Sequence, residues 1–261
     1  MGGYAVSLAT NYVGTELGAL FVPRIAQPKR RAIIFAHGAN GDGSQATDAS
    51  GQPSLTKFFG LIAAAGYVVL SSDWGGPQTY GNNTELAAME AGWTYLKNTG
   101  LCATDKVILS GASMGTLSTH RFAKEHPTWV AGINCWIPFL DVENGRTNNY
   151  LSLRDNINTA WGTPLGSYIG NSGGDQTPLP NNALPLTYAS SMAAIPTHMW
   201  YSTNDVISNN MNQYITLRNS VAANTAMAHI TSTSAVHSDA AVAPADINAI
   251  ISFFDSVADG N

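Results

Sequence analysis

Apolar residues in this chain follow two alternating patterns, and together these patterns predict a layered α/β protein. Short runs such as 32–36 are continuously apolar, as expected for a strand that is buried on both faces of a parallel sheet. Between such runs the apolar residues recur with helical spacing, as at 53–65, where Leu55, Phe59 and Ile62 share one face. Alternation of this kind is typical of a mostly parallel sheet with helices on both of its faces.

The positions of these patterns predict the number and order of the elements. About eight strands are expected, at 6–10, 18–22, 32–36, 67–71, 107–110, 130–135, 197–201 and 228–231. Helices are expected at 53–65, 84–97, 116–125, 209–222 and 244–256. Because only a short connection joins the first two strands, we predict that they pair as an antiparallel hairpin at one edge of the sheet. Residues 1–261 are therefore predicted to form one α/β domain.

One long segment, 138–189, interrupts the alternation of strands and helices. It is rich in Asn, Gly and Pro, and no clear periodicity runs through it. Irregular segments of this length within a compact domain usually have a function beyond connecting two elements. We therefore predict that the segment is a functional insert.

The charge of the chain excludes two classes of partner. Asp and Glu number 17, Lys and Arg number 12, and the net charge is −5. The longest basic run is 29–31, so neither a nucleic-acid-binding surface nor an anchor to anionic membranes is expected. No stretch reaches the roughly 18 to 20 apolar residues of a membrane span. Residues 1–6 lack the regions of a signal peptide, so we expect either none or one that precedes the given chain.

The segment 111–115, with the sequence GASMG, matches the pattern G-x-S-x-G. Glycines on both sides of the serine permit a strained strand-to-helix turn that raises the hydroxyl group above the sheet. The pattern recurs at 170–174, around Ser172, but no helix can start after that match. Ser113 follows a strand of the buried type and precedes a helical pattern. We therefore predict Ser113 as a nucleophile.

At these residues the chain resembles the α/β-hydrolase superfamily, and the resemblance extends from the first hairpin to the last helix. The catalytic residues of that superfamily follow the chain order Ser, Asp or Glu, and then His. Here Asp205 lies just after the predicted strand 197–201, and His237 lies in the polar loop before the last helix. The resemblance thus implies a serine esterase in which Ser113, activated by His237 and Asp205, cleaves carboxylic esters through an acyl-enzyme intermediate.

Other residues compete for these roles. Asp141 follows an earlier strand, where some members of the superfamily carry the acid, whereas Asp239 is too close to His237 in sequence to orient it easily. Asp73, after the second parallel strand, is more typical of a residue that caps a loop or shapes a pocket. Among the other histidines, His37 lies in the loop expected to provide an oxyanion donor, and the rest are expected in structural roles.

Acyl transfer also needs hydrogen-bond donors for the negatively charged oxygen of the intermediate. The resemblance implies that one donor is the backbone N–H of Met114. The second is expected from the Gly-rich loop after the strand 32–36, where Ala39 is the first choice and Asn40 the second. Because the donors are backbone groups, the side chains leave both choices open.

Aromatic side chains near these positions predict the substrate pocket. We expect Trp74, Trp136, Phe139 and Trp161 to line it and to favour an apolar acyl group or a sugar. The alternative is that Trp136 and Phe139 only pack beneath the segment 138–189. Insertions at this point of the superfamily commonly lie above the nucleophile, so the resemblance implies that the segment is a cap.

The two cysteines are predicted to be free thiols. Cys102 lies before one strand and Cys135 at the far end of its expected neighbour, and a strand of five or six residues spans about 17–20 Å. A disulfide needs Cα atoms within about 7 Å of each other. No His, Cys, Asp or Glu cluster has the spacing of a metal site, and no P-loop or dinucleotide-binding motif is present. Neither a metal nor a cofactor is therefore expected.

The expected partner is a small-molecule or cell-envelope ester, and the sequence leaves the oligomeric state open. Two alternatives remain for the function. One is a catalytically silent binding or structural module of a larger extracellular or phage-tail assembly, and the other is a serine peptidase of the same fold. The composition, rich in Thr and Asn and poor in Lys and Glu, resembles that of secreted esterases and of hydrolases on phage tails. It favours an extracellular or virion-associated location.

Overall fold

A computed structural model of the protein describes residues 4–10, 17–24, 28–41, 53–148, 153–162, 179–200, 205, 207, 237 and 247–258. The strands are β1 (Tyr4–Thr10), β2 (Leu17–Pro23), β3 (Arg31–Ala36), β4 (Val69–Ser72), β5 (Ala103–Ala112), β6 (Val130–Trp136) and β7 (Thr197–Trp200). The α-helices are α1 (Pro53–Ala64), α2 (Asn83–Thr99), α3 (Gly115–Glu125), α4 (Val142–Asn148), α5 (Leu153–Ala160), α6 (Pro185–Tyr188) and α7 (Ile247–Ala258). Short 3₁₀ helices lie at Asn181–Ala183 and Ala189–Met192.

The described strands form one sheet in the order β1-β2-β4-β3-β5-β6-β7. β1 pairs antiparallel with β2, which confirms the predicted hairpin, and β2 is also antiparallel to β4. The other neighbouring pairs are parallel. The predicted mostly parallel sheet is therefore confirmed, with seven described strands instead of about eight. The predicted strand 228–231 and helix 209–222 lie outside the described residues.

Helices cover both faces of the sheet, as predicted. Along β3 the side chains alternate between two apolar cores: Ile34 packs with residues of α2 and α3, whereas Ile33 and Phe35 pack with residues of α1 and α7. The ring of Phe59 on α1 lies 4.7 Å from that of Phe35, measured between centroids. Because β3 is buried on both faces, every position of the run 32–36 is apolar.

The segment 138–189, for which the sequence predicts no regular element, contains short helices. α4 and α5 have seven and eight residues, and α5 buries Leu153 and Ile157 at a spacing of four. Helices this short contain too few apolar repeats to be distinguished in a sequence rich in Asn and Gly. Residues 163–178 lie outside the described part of the chain.

The turn from β5 to α3 passes very close to the end of β3, and two glycines permit this approach. A Cβ atom at Gly115 would overlap the carbonyl group of Ala36 and the carbonyl oxygen of His37. A Cβ atom at Gly111 would lie 2.6 Å from the carbonyl oxygen of Gly115. Neither glycine has a positive φ. Both positions therefore require glycine for space and not for backbone conformation.

A buried carboxyl group holds the loop that leads into α2. The Asn82 side chain caps this helix by accepting a hydrogen bond from the backbone N–H of Glu85 (3.0 Å). Oε2 of Glu85 accepts hydrogen bonds from the Thr79 hydroxyl (2.5 Å) and the Gly81 N–H (2.9 Å). Burial raises the pKa of Glu85, although these hydrogen bonds and the nearby His37 act in the opposite direction. The buried carboxyl group of Glu85 thus fixes the loop that contains Thr79 and Gly81.

We expect Gly115→Ala to destabilise the fold strongly, because the backbones of two elements would have to separate. The cost should be about 3 kcal/mol or more, which lowers the melting temperature of a domain of this size by roughly 10 °C. Gly38→Ala is the matched control, since its Cβ would make ordinary contacts of 3.5 Å with Ser113 and 3.6 Å with Ala112. Thermal unfolding measures both variants. Similar melting temperatures for the two would contradict the close-packing explanation.

Raising the pH should weaken the fold through Glu85. Because burial raises its pKa in the folded state above the usual value of 4.5, the folded protein keeps a proton that the unfolded chain releases. The free energy of unfolding should therefore fall as the pH rises from 4.5 through the raised pKa, by at most about 1.4 kcal/mol per pH unit for one proton. Urea unfolding at several pH values should show this fall in the wild type and a flatter profile in Glu85→Gln.

Glu125→Gln is the control for this measurement. Glu125 lies on α3, and its hydrogen bond with Lys124 lowers its pKa, which is the opposite direction. The control should therefore keep the decline seen in the wild type at rising pH. If Glu85→Gln declined as steeply as the wild type, another titrating group would be responsible.

Candidate active site

Ser113 occupies the turn between β5 and α3, above the carboxyl end of the parallel strands. Its φ is 48°, a left-handed conformation that residues other than glycine seldom adopt. The backbone N–H of Ser113 donates to the carbonyl oxygen of Trp136 (3.0 Å), which ties the turn to β6. The strained turn leaves the hydroxyl free to face His237, whose Nε2 lies 2.7 Å from the serine Oγ.

The other ring nitrogen of His237 contacts a buried carboxylate. Nδ1 lies 2.6 Å from Oδ2 of Asp205, which is completely buried, and Oδ1 of Asp205 accepts a hydrogen bond from the backbone N–H of Ile207 (2.9 Å). A carboxylate can only accept, so Nδ1 carries the proton and Nε2 is the acceptor for the hydroxyl of Ser113. The structure thus brings the three residues of the predicted triad into one chain of hydrogen bonds.

The competing acids have other surroundings. Oδ1 of Asp141 accepts a hydrogen bond from the backbone N–H of Asn144 (3.1 Å), at the start of α4, which is the geometry of a helix cap. The backbone carbonyl oxygen of Asp73 lies 2.9 Å from Nε2 of His37, in the loop after β4. Asp239 and Ser172 lie outside the described residues. Of the candidate acids in the described part of the chain, Asp205 is therefore the one placed against His237.

Two of the three predicted oxyanion donors line the same cavity and have N–H groups without a hydrogen-bond partner among the described residues. The backbone N–H groups of Ala39 and Met114 make no hydrogen bond within the described part of the chain, and both residues line the cavity beside Ser113. The N–H of Asn40, in contrast, donates to the carbonyl oxygen of Pro77 (2.7 Å). The prediction of Asn40 as the alternative donor is therefore corrected: Asn40 lines the cavity, but its N–H already donates to Pro77.

A cavity of about 250 Å³ opens next to Ser113 and His237. Phe139, which the sequence predicts as a pocket residue, is part of its wall. Further wall residues that the sequence analysis missed are Tyr80, Ile137, Leu153, Asn156 and Ile207. Only Tyr80 had a visible signal, because it stands beside Gly81 in a Gly-rich loop that follows a predicted strand.

Two predicted pocket residues lie in the core instead. Trp74 is fully buried, its indole N–H donates to the carbonyl oxygen of Phe35 (2.6 Å), and its ring fills the space above Gly92 on α2. Trp136 packs edge-on against Phe58 of α1, with 4.2 Å between the ring centroids. The prediction that Trp74 and Trp136 line the pocket is therefore wrong, because both rings fill space between the sheet and its helices.

Trp161 is also not part of the cavity wall among the described residues. Its indole N–H donates to the backbone carbonyl oxygen of Tyr80 (3.1 Å), and the guanidinium group of Arg121 lies 5.0 Å from its ring centroid. Trp161 therefore fixes the loop that carries Tyr80 and does not cover the cavity itself. The sequence placed Trp161 near the site but could not show which side of the loop it contacts.

The remaining candidates for chemistry lie elsewhere. Cys102 directly precedes β5, whereas Cys135 pairs with Gly111 near the other end of that strand, and both thiols are free and buried. In the part of the chain that the structure describes, no group of His, Cys, Asp and Glu could hold a metal ion. No helix among the described residues is both long and apolar enough to cross a membrane.

The sequence matches no protein-family model and no curated protein. Solved structures resemble the fold over almost the whole chain. A ferulic acid esterase superposes with a TM-score of 0.68 at 9% identity, covering 98% of this chain and 100% of its own. S-formylglutathione hydrolase from Staphylococcus aureus superposes with a TM-score of 0.66 at 12% identity, covering 97% of this chain and 98% of its own. A thermostable esterase from Pseudomonas putida superposes with a TM-score of 0.62 at 15% identity, covering 98% of this chain and 81% of its own.

At identities this low the likeness concerns the fold. All three proteins superpose on this chain over most of their length. The resemblance that the sequence motifs imply is thereby confirmed at the level of architecture: the chain has the α/β-hydrolase fold.

Proposed function

We propose that this protein is a serine hydrolase that cleaves carboxylic esters of small molecules or of the cell envelope. The observation that carries the proposal is the chain of hydrogen bonds from Ser113 Oγ to His237 Nε2 (2.7 Å) and from His237 Nδ1 to Asp205 Oδ2 (2.6 Å). A serine hydroxyl is a poor nucleophile until a base removes its proton, and an imidazole is that base when a carboxylate holds its tautomer.

In the first half of the reaction, His237 takes the hydroxyl proton while Oγ of Ser113 forms a bond to the ester carbonyl carbon. The π electrons of the carbonyl group move to its oxygen, and the N–H groups of Ala39 and Met114 donate to the resulting oxyanion. The intermediate then collapses, the bond to the alcohol oxygen breaks, and the alcohol leaves with the proton from His237. An acyl group remains on Ser113.

In the second half, water replaces the alcohol. His237 removes a proton from the water, whose oxygen bonds to the acyl carbon, and the same two N–H groups stabilise the second oxyanion. Collapse breaks the bond to Ser113 and returns the proton to its hydroxyl, which releases the carboxylic acid. The buried carboxylate of Asp205 stabilises the positive charge that His237 carries in both halves.

Two further observations support the proposal. The solved structures with the same fold include proteins named as esterases and hydrolases. Phe139, Leu153 and Asn156 belong to the segment 138–189 and form part of the cavity wall. We therefore also propose that this segment is the cap of a single domain. A silent binding module and a serine peptidase are the alternatives that the tests below distinguish.

Ser113→Ala should abolish labelling by a fluorophosphonate probe and lower the hydrolysis of p-nitrophenyl butyrate by more than about 1,000-fold, with an unchanged circular dichroism spectrum. The reason is that no other group can form the acyl-enzyme. Ser172→Ala, in the second G-x-S-x-G match, is the control and should keep the wild-type rate. A wild type that neither labels nor hydrolyses would be a binding module, and faster cleavage of p-nitrobutyranilide than of the ester would favour a peptidase.

Asp205→Asn should lower kcat for the same ester by about 10³- to 10⁴-fold, because an amide no longer holds the tautomer of His237. Asp141→Asn is the matched control. Asparagine caps a helix as well as aspartate does, so α4 should remain intact and kcat should change less than about twofold. Steady-state kinetics measures both variants. A large loss in Asp141→Asn with a small one in Asp205→Asn would assign the acid to Asp141.

A further inference from the structure

One buried polar group in the cavity has no partner. The hydroxyl of Tyr80 makes no hydrogen bond with the described residues, although the side chain is 1% exposed. Tyr80 lines the same cavity as Ser113 and His237. Buried hydroxyl groups are nearly always hydrogen-bonded in folded proteins, since leaving one unpaired is costly. Several other buried polar atoms of the described residues also lack a partner, but Tyr80 is the one among them in the wall of the cavity that contains Ser113 and His237.

The backbone around Tyr80 is held in a strained conformation. Its φ is 46°, which is unusual for an aromatic residue, and the next residue, Gly81, has a φ of 72°. The carbonyl oxygen of Tyr80 accepts the indole N–H of Trp161, and the N–H of Gly81 donates to the buried carboxyl group of Glu85. Strain that several contacts maintain is typical of functional sites. These contacts hold Tyr80 in the cavity wall, although its hydroxyl makes no hydrogen bond with the described residues.

The chemistry of the cavity wall indicates which group the hydroxyl can bind. Burial raises the pKa of Tyr80, so the hydroxyl stays protonated at neutral pH and can donate as well as accept. Asn156 also lines the cavity, and its side chain acts on the pKa of Tyr80 in the opposite direction to burial. Among the described wall residues, His237 is the one ionisable group besides Tyr80. The complementary group is therefore polar and uncharged.

We propose that Tyr80, together with Asn156, binds a hydroxyl group of the ester substrate and so makes the enzyme selective for small hydroxylated esters. This inference rests on the proposed esterase function and names its substrate class. A hydroxyl both donates and accepts, as do the phenol of Tyr80 and the amide of Asn156. A site built to bind a hydroxyl discriminates strongly against the analogue that lacks it, because its own polar groups then stay unpaired.

The size of the cavity limits the rest of the substrate. Pockets for drug-sized ligands have about 300–1,000 Å³, whereas this cavity has about 250 Å³. A short acyl chain or a small alcohol fits such a space. The hydroxyl can belong to either part of the ester, and two pairs of substrates distinguish them. One pair is p-nitrophenyl 3-hydroxybutyrate and p-nitrophenyl butyrate, and the other is 2-hydroxyethyl acetate and ethyl acetate.

The variant Tyr80→Phe removes the hydroxyl and keeps the ring. Because this hydroxyl makes no hydrogen bond with the described residues, the melting temperature should not fall. In the wild type, kcat/KM should be higher for the hydroxylated member of one pair. The variant should reduce that preference by about 5- to 10-fold, which corresponds to the loss of one hydrogen bond.

Tyr95→Phe is the matched control, since Tyr95 lies on α2 and is not part of the described cavity wall. It should change neither rates nor preference. If Tyr80→Phe reduces the preference in the butyrate pair, the substrate hydroxyl that Tyr80 binds belongs to the acyl part. If it reduces the preference in the acetate pair, that hydroxyl belongs to the alcohol part. An unchanged preference in both pairs, with active wild-type enzyme, overturns the assignment of Tyr80 and leaves the esterase function standing. A wild type that hydrolyses none of the four esters overturns both.

Discussion

The backbone of the turn between β5 and α3 lies directly against the end of β3, and the geometry of the site depends on this approach. Gly115 has no side chain to separate its backbone from Ala36, so the turn carrying Ser113 and the loop carrying Ala39 are held together by main-chain packing. Ser113, Ala39 and Met114 consequently line one cavity. Groups placed by packed backbone need little rearrangement during a reaction, which is the basis of electrostatic preorganisation.

Around this backbone frame, some buried polar atoms of the described residues are hydrogen-bonded and others are not. The carboxylate of Asp205 is completely buried and accepts hydrogen bonds from His237 and Ile207. Glu85 is equally buried and holds the loop before α2. The hydroxyl of Tyr80, on that loop, makes no hydrogen bond with the described residues, and several other buried polar atoms share this property. Among the residues that carry these atoms, Tyr80 is the one in the wall of the described cavity, and for this reason we assign its hydroxyl to a ligand.

Much of the fold could be predicted because burial imposes a pattern on the sequence. The run 32–36 is apolar at every position since β3 is covered on both faces, and this makes it recognisable as a parallel strand. Ser113 could be separated from Ser172 because the first follows such a strand and precedes a helix. Trp74 and Trp136 were misplaced because large aromatic side chains occur in cores and in pockets alike, and composition does not distinguish the two.

The sequence by itself predicted the chain order of the described strands, the strand-to-helix context of Ser113, and the place of Asp205 after the strand 197–201. These features follow from periodicity and from glycine spacing, which are local properties of the chain. Only the tertiary structure distinguished Ala39 from Asn40, because the N–H of Asn40 donates to the carbonyl oxygen of the distant Pro77, whereas the N–H of Ala39 makes no hydrogen bond with the described residues. Whether a backbone N–H is free depends on contacts between segments that are far apart in sequence, and a local sequence pattern does not show these contacts.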